Sequence, residues 1–270
     1  VTTPLTAGNA RVKEARKLSR RSVRAERRLF LVDGPKAVGA ALAAGAGVRE
    51  VFATPTATDR YDDLAAAARR SGAAWTLVDD RALASLSDAV TPPGVVGVCD
   101  LVDVPLESVL SDAGPSGAST VVICADVRDP GNAGTIIRTA DAAGAAAVVL
   151  AGHSVDPHNA KTVRATVGSL FHLPVALTAD VAGAVAAAQA AGLLVLAADG
   201  AGETDLFDAD PLLGGRVAWL FGNEAWGLPA ELAELADHRV RIPIRGAAES
   251  LNLATAAAVC LFAGARAQRP

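Results

Sequence analysis

Short apolar runs rich in Val, Leu and Ile alternate with alanine-rich stretches of helical period along nearly the whole of this chain. A strand buried on one face reads as strict polar–apolar alternation, whereas a continuous apolar run marks a strand covered on both faces. Covering both faces takes helices, and helices between strands are the crossovers that parallel pairing requires. The pattern therefore predicts an α/β chain built on parallel or mixed sheets sandwiched by helices. In the first half, RLFLVDG, VREVFAT, AAWTLVD and VVGVCDLV read as strands, with PKAVGAALAAG, YDDLAAAARRSG and DRALASLSD as the helices between them. Pro35 at a first turn and Gly45 past an end punctuate one such helix. The stretch PLESVLSDAGPSGA then breaks the rhythm with Pro, Ser and Gly, which sets a linker at 106–118 with room for a short helix. Strands resume with STVVICADV and continue through AAAVVLAG, LPVALT, LLVLAAD, GRVAWLFGNE and HRVRIPI, ending in a long helix, SLNLATAAAVCLFAGARAQ. Two domains are expected, 1–105 and 119–270, each long enough for its own core.

Hydrophobic residues make up 51% of the 270, yet aromatics only 4%. Gly, Asp or Arg cuts every apolar run well short of the roughly 20 residues a membrane span needs. The N-terminus carries charge without the apolar core of a signal peptide, so the expected compartment is the cytoplasm, with no membrane partner. Cys99, Cys124 and Cys260 stand far apart in apolar surroundings and read as buried thiols, and no Cys/His pair has metal-ligand spacing. A net charge of −4 argues against nucleic acid until its distribution is considered. Residues 1–105 hold fifteen basic against twelve acidic side chains, and the remainder ten against seventeen. Between residues 11 and 28, Arg11, Lys13, Arg16, Lys17, Arg20, Arg21, Arg24, Arg27 and Arg28 face only Glu14 and Glu26. Such a helical segment is either an arm that meets phosphates or a solvated charged helix.

In α/β sheets, ligands sit beyond the carboxyl ends of strands. Three such loops differ from the rest of this alanine-rich chain. In DPGNAGTIIRTA, Pro130 and Gly131 make a tight turn, and Asn132 is placed to cap the following helix. Asn132 and Arg138 are either aimed at a substrate or simply a cap and a surface arginine. In LFGNEAWGL, a strand runs into Gly222, with Glu224 and Gly227 close behind. Two glycines there let a ligand approach the backbone, and the absence of G-x-G-x-x-G disfavours a dinucleotide site. In IPIRGAAESLNLATAAA, Ser250 and Asn252 enter a helix, Ser250 either as its cap or, in series with Leu251 and Asn252, as a group presented to a ligand.

Together and in this order, the three loops resemble the signature motifs of the SpoU (TrmH) family of RNA 2′-O-ribose methyltransferases, members of the SPOUT superfamily. SVDPHNAKTVRATVGSLFHLPV is similar to the family's central region, and FLVDGPKAV to its N-terminal substrate-binding domain, so the resemblance spans nearly the whole chain. It implies an α/β catalytic domain with a deep trefoil knot, against the general rule that chains are unknotted. It also implies a smaller ribosomal-protein-like RNA-binding domain and a homodimer, the long final helix and the region around Trp226 serving as interface. The implied cofactor is S-adenosylmethionine (SAM), held by Leu220, Phe221, Gly222, Gly227, Ile242, Ile244, Ser250 and Leu251. The implied partner is RNA, ribosomal RNA foremost, gripped by the basic segment, with Lys161 and Arg164 either on phosphate or on a solvated helix face. No metal is implied. Arg138 would act on the 2′-hydroxyl, Asn132 would position it or the ribose, Glu224 would orient the site and Asn252 would hold substrate. A guanidinium is too weak an acid to serve readily as a base, so its expected role is to hold phosphate and steady the developing alkoxide. Some members protect ribosomes from thiopeptide antibiotics, and the motifs leave that role and housekeeping modification equally open. Two other classes stay in view: a catalytically silent RNA-binding protein on the same fold, and an unrelated nucleotide-binding α/β enzyme. With Phe30, Phe52, Tyr61 and Trp75 as its aromatics, the first domain offers no evident stacking platform.

Overall fold

The computed structural model of the chain describes residues 3–111 and 119–269. Its contacts define two compact units, one of Val1–Val102 with Asp156–His172, the other of Asp103–Val155 with Leu173–Pro270.

In the first unit, β1 (Leu29–Asp33), β2 (Val48–Ala53), β3 (Ala74–Leu77) and β4 (Val95–Asp100) form a sheet in the order β1-β4-β2-β3. Pairing is antiparallel except between β2 and β3, so the sheet is mixed. One face buries Leu31, Phe52, Val96 and Val98 against Val12, Leu18 and Leu83. Val12, Ala15 and Leu18 fall at helical spacing, which turns the apolar stripe of the basic segment onto this core. The segment is not one helix. It runs as Ala10–Arg16, a 3-10 turn Lys17–Ser19 and a second helix Arg21–Arg27, because Arg20 is extended (φ −92°, ψ 129°) and supplies no side-chain cap.

Residues 156–172, assigned from sequence to the second domain, fold with the first unit. The helix Ala160–Thr166 packs on β1, burying Thr162, Val163 and Thr166, and the following turn buries Leu170. His158 lies edge-on to Phe30 with centroids 4.7 Å apart. Its Nε2 accepts from the Val102 amide at 3.2 Å, while Nδ1 lies 3.2 Å from Asp156 Oδ1. An amide must donate to Nε2, so Nδ1 carries the ring proton and donates to the carboxylate.

The second unit holds β5 (Asp103–Val104), β6 (Ser119–Ala125), β7 (Ala147–Ala151), β8 (Val175–Thr178), β9 (Leu194–Ala198), β10 (Thr204–Asp205), β11 (Arg216–Phe221) and β12 (His238–Arg241). They form one sheet, ordered β10-β12-β9-β11-β6-β7-β8-β5, and every pair is parallel. The central strands are sealed on both faces, as their unbroken apolar runs predict: Val121 and Ala218 on one face, and Val122 and Trp219 on the other, have no exposed surface. From β6 the chain builds outward one way through β7 and β8, and from β11 the other way, past β9, to β12. The strand order therefore reverses between β6 and β11, and a crevice opens beyond their carboxyl ends. The helices Pro130–Ala142 and Leu253–Ala267 pack against each other beside it. Of the expected linker, Leu106–Ser111 is a helix whose Val109 and Leu110 enter this unit's core, and 112–118 lie outside the described residues. Among the described residues, no helix is long and apolar enough to cross a membrane.

Candidate active site

Three loops meet at the crevice. The loop after β11 returns on itself: Asn223 and Gly227 exchange amide hydrogen bonds of 2.9 Å each, with Gly227 at φ +70°. This fold-back brings the Gly227 carbonyl so near Gly222 that any Cβ there would overlap it. Asn223, almost fully buried, fastens the loop to the end of β6, its Nδ2 donating to the Asp126 carbonyl at 2.7 Å. The next residue continues the seam. Glu224 accepts from the amides of Arg128 (3.2 Å) and Asp129 (3.0 Å), and Asn132 Nδ2 lies 3.4 Å from the same carboxylate. Asn132 Oδ1 in turn accepts from Asn252 Nδ2 at 3.1 Å, and Asn252 Oδ1 caps the final helix by accepting from the Thr255 amide at 3.2 Å. A chain of polar bonds thus runs from Glu224 through Asn132 to Asn252, one residue from each loop.

Two expected caps are corrected. The helix after β6 starts at Pro130, so Asp129 is its cap, accepting from the Asn132 amide at 2.7 Å. Asn132 sits in the first turn instead, and its side chain is free to bridge the other loops. At the final helix the cap is Asn252, not Ser250.

Beside the bridge lies a cavity of about 300 Å³. Phe221, Gly222, Gly227, Ile242, Ile244, Ser250 and Leu251 line it, as the motifs lead one to expect. Leu220 does not: it has no exposed surface and belongs to the core beneath. Ile244 and Leu251 remain 39% and 37% exposed, apolar surface turned to an open space. Asp199 and Glu249, unmarked in the sequence reading, join Glu224 on the wall, which carries no lysine or arginine among the described residues. Three carboxylates and no cation suit a positively charged ligand and disfavour a phosphate. Under the floor, burial and then the Glu224 charge push the Cys124 thiol up to about 12, so it stays an inert thiol.

Arg138 stands apart from this network. It is exposed, lies six positions beyond Asn132 on the helix, and makes no side-chain hydrogen bond or ion pair among the described residues. Its helix face carries Gly131, Thr135 and Ala142, all exposed. Arg128, in the loop before the helix, holds its guanidinium 5.2 Å from the ring centre of Trp226, itself 52% exposed.

The expected RNA contacts divide in the first unit. Lys13, Arg16, Arg20, Arg21 and Lys161 are exposed. Lys17 pairs with Glu14 at 2.6 Å and Arg11 with Glu50 at 2.5 Å. Arg164 contacts Asp88 and lies 3.9 Å from Asp33. Arg24 is withdrawn altogether: it is buried, bonded to Asp156 at 2.6 Å and to the carbonyls of Leu18 and Ser19 at 2.9 Å. A guanidinium so engaged is a structural group, and its place on an RNA-gripping face is corrected.

A parallel α/β sheet with a carboxylate-walled cavity at the carboxyl ends of β9, β11 and β12, beside a bridge of Asn and Glu side chains, offers a site for a small cationic ligand. Comparison with known proteins supplies the rest. The SpoU rRNA Methylase family matches residues 119–262, and an MRM3-like substrate binding domain matches 9–97. The chain belongs to the SpoU rRNA methylase family. A 23S rRNA (guanosine(2553)-2′-O)-methyltransferase of Bacillus subtilis, RlmP, is 32% identical over 95% of this chain and 96% of its own length. The AdoMet-bound rRNA methyltransferase from Sinorhizobium meliloti superposes with a TM-score of 0.86 at 36% identity, covering 98% of this chain and 97% of that one. The SpoU methyltransferase AviRb from Streptomyces viridochromogenes, solved with AdoMet, gives 0.82 at 31% identity, covering 96% and 98%.

Proposed function

We propose that this chain transfers a methyl group from SAM to a ribose 2′-hydroxyl of ribosomal RNA. The observation that carries the reading is a cavity walled by the second and third motif loops and favouring a cation, with the first loop bonded beside it through Glu224 and Asn252. The residues present fit SAM. Ile242, Ile244 and Leu251 offer apolar surface for an adenine, the Gly222–Gly227 fold-back offers backbone groups without an obstructing Cβ, and the wall carboxylates match a sulfonium and an ammonium. Bound there, SAM supplies an electrophilic methyl, and neither metal nor redox chemistry is required for its transfer.

The chain's own part is alignment and charge. Glu224, fixed by two backbone amides, holds the first and second loops in register, and Asn132 relays that order to Asn252. Asn252, with its oxygen committed to the helix cap and one N–H to Asn132, has its second amide N–H left for substrate. Arg138, solvent-facing and without a side-chain partner among the described residues, is the group for the target's phosphate and for the oxyanion that forms as the hydroxyl loses its proton. In a homodimer the partner subunit completes the site. Phe262, 52% exposed on the final helix, and Trp226 are the apolar groups that such an interface would cover. The strand order and the return of the final helix onto Pro130–Ala142 are what a deep trefoil knot would require. The exposed lysine and arginines of residues 13–21 give the RNA-facing charge, and the cytoplasm is where such a substrate is found.

The test is transfer of labelled methyl from SAM to ribosomal RNA, with mass mapping of ribose methyls. Calorimetric SAM binding without any ribose methylation would replace this reading by another acceptor, and no SAM binding would point to a silent RNA-binding protein.

A further inference from the structure

The first unit holds a second cleft, of about 360 Å³, between the N-terminal segment and the edge strand β3. Its floor is tied by strand pairing, since the Leu5 amide donates to the Leu77 carbonyl at 2.8 Å and the Asp79 amide to the Leu5 carbonyl at 3.0 Å. Trp75 lines the cleft and is half-buried. Its indole Nε1 donates to Thr58 Oγ1 at 3.0 Å, and the Thr58 hydroxyl donates onward to the Thr54 carbonyl at 3.0 Å. That bond occupies the one polar atom of the indole and fixes the ring, leaving apolar aromatic surface to the cleft. Arg11 lines it too, braced by Glu50 (2.5 Å) and Thr76 (3.1 Å) yet with 55% of its side chain exposed. Arg69, also on the lining, is exposed near the end of the helix Asp62–Arg70 and makes no side-chain bond or ion pair among the described residues.

An aromatic ring held in place, sharing one cleft with two arginines and two threonines, is the chemistry that takes a nucleotide. The ring stacks a base and the guanidinium groups meet its phosphates. Glu50 cancels part of the Arg11 charge, so Arg69 is the stronger phosphate ligand. We infer that this cleft holds one nucleotide of single-stranded RNA, its base on Trp75 and its phosphates on Arg69 and Arg11. The inference rests on the RNA reading above and adds to it a docking point outside the methyl-transfer site. Every base presents a π face, so the site tolerates any sequence.

The experiment uses the full chain and a fluorescein-labelled oligouridylate of about eight nucleotides, followed by anisotropy at several salt concentrations. Trp75→Leu should weaken binding roughly tenfold, whereas Trp75→Phe, which keeps a ring, should stay within about twofold. Arg69→Ala should weaken binding and flatten the salt slope by about 0.7. Calorimetric SAM affinity should be unchanged in all three, and thermal melting followed by circular dichroism reports whether the first unit folds. Wild-type RNA binding in both Trp75→Leu and Arg69→Ala overturns the site. So does a loss in Trp75→Phe equal to that in Trp75→Leu, because the Thr58 bond would then be all that Trp75 provides. Should Trp75→Leu not fold, Arg69→Ala decides alone. Unchanged methylation with no role for Trp75 leaves the methyltransferase reading intact, and Trp75-dependent binding without any methylation leaves this site standing alone.

Discussion

At Gly222 a single hydrogen atom decides whether the second loop can close. A Cβ would meet the carbonyl and carbon of Gly227 and the amide of Leu228, all backbone, so no side chain can swing away. Gly222→Ala is therefore expected to cost about 1–3 kcal/mol, as overpacking does, and to weaken SAM binding more than tenfold, read by calorimetry beside thermal melting. Unchanged affinity would show that the fold-back does not shape the pocket. Arg138 predicts the opposite split. Exposed and with no side-chain bond among the described residues, it should be replaceable by Ala with SAM affinity and melting temperature intact while methylation falls by about 10²-fold or more. An active Arg138→Ala enzyme removes it from the chemistry. Gly222, Ile244 and Leu251 were legible in the sequence because strand-end glycines and motif order mark them. Asn223 was not, because the bond by which it fastens the loop reaches a backbone carbonyl 97 residues away. Nothing local announces such a partner.

Among elements, a buried ion pair ties the helix Arg21–Arg27 to the segment that opens at Asp156. Arg24 and Asp156 have side chains only 5% and 12% exposed, and they bond at 2.6 Å. Burial by itself would raise the Asp156 pKa, but donation from His158 and Arg24 outweighs it and holds the carboxyl far below the ordinary range. A depressed carboxyl stabilises the fold above its unfolded pKa, near 4, and that contribution drains away as pH falls toward the depressed folded value. Asp156→Asn should thus destabilise by about 3–5 kcal/mol at neutral pH, since it strands a buried guanidinium. It should also flatten the acid limb of melting temperature against pH below about 4. A variant that melts like wild type at pH 7 rules the pair out as a structural tie. Helix starts show how much of this level a sequence yields. The proline at 130 signals a first helical position and so points to Asp129 as cap, yet the Asn three residues later drew the assignment. The two-residue strands β5 and β10 carry too few residues for any periodicity to register.

For the molecule as a whole, chain order and compact unit part company. The long strands and helices were readable because each is a self-contained apolar pattern. That 156–172 would fold with residues 1–102 was not, since helical period says which face is apolar and never which core receives it. Val163 has no exposed surface and Leu170 only 2%, and the helix bearing Val163 lies on β1. Cutting the chain at the apparent boundary, to leave residues 103–270, therefore strips the cover from an apolar helix while keeping the residues that form it. Burying a Val or Leu side chain is worth about 1.5–3 kcal/mol, so losing the partners of several at once, together with the Arg24 bond to Asp156, should leave 156–172 unable to hold its fold. The fragment is expected to show protease cleavage within 156–172, mapped by mass spectrometry, under conditions where the whole chain resists. The parallel sheet should survive as a separate cooperative transition, because its core of Val121, Ile123, Ala218 and Leu220 owes nothing to the deleted residues. Equal protection of 156–172 in fragment and whole chain would mean that the segment is stable without β1, and the division drawn from contacts would fall.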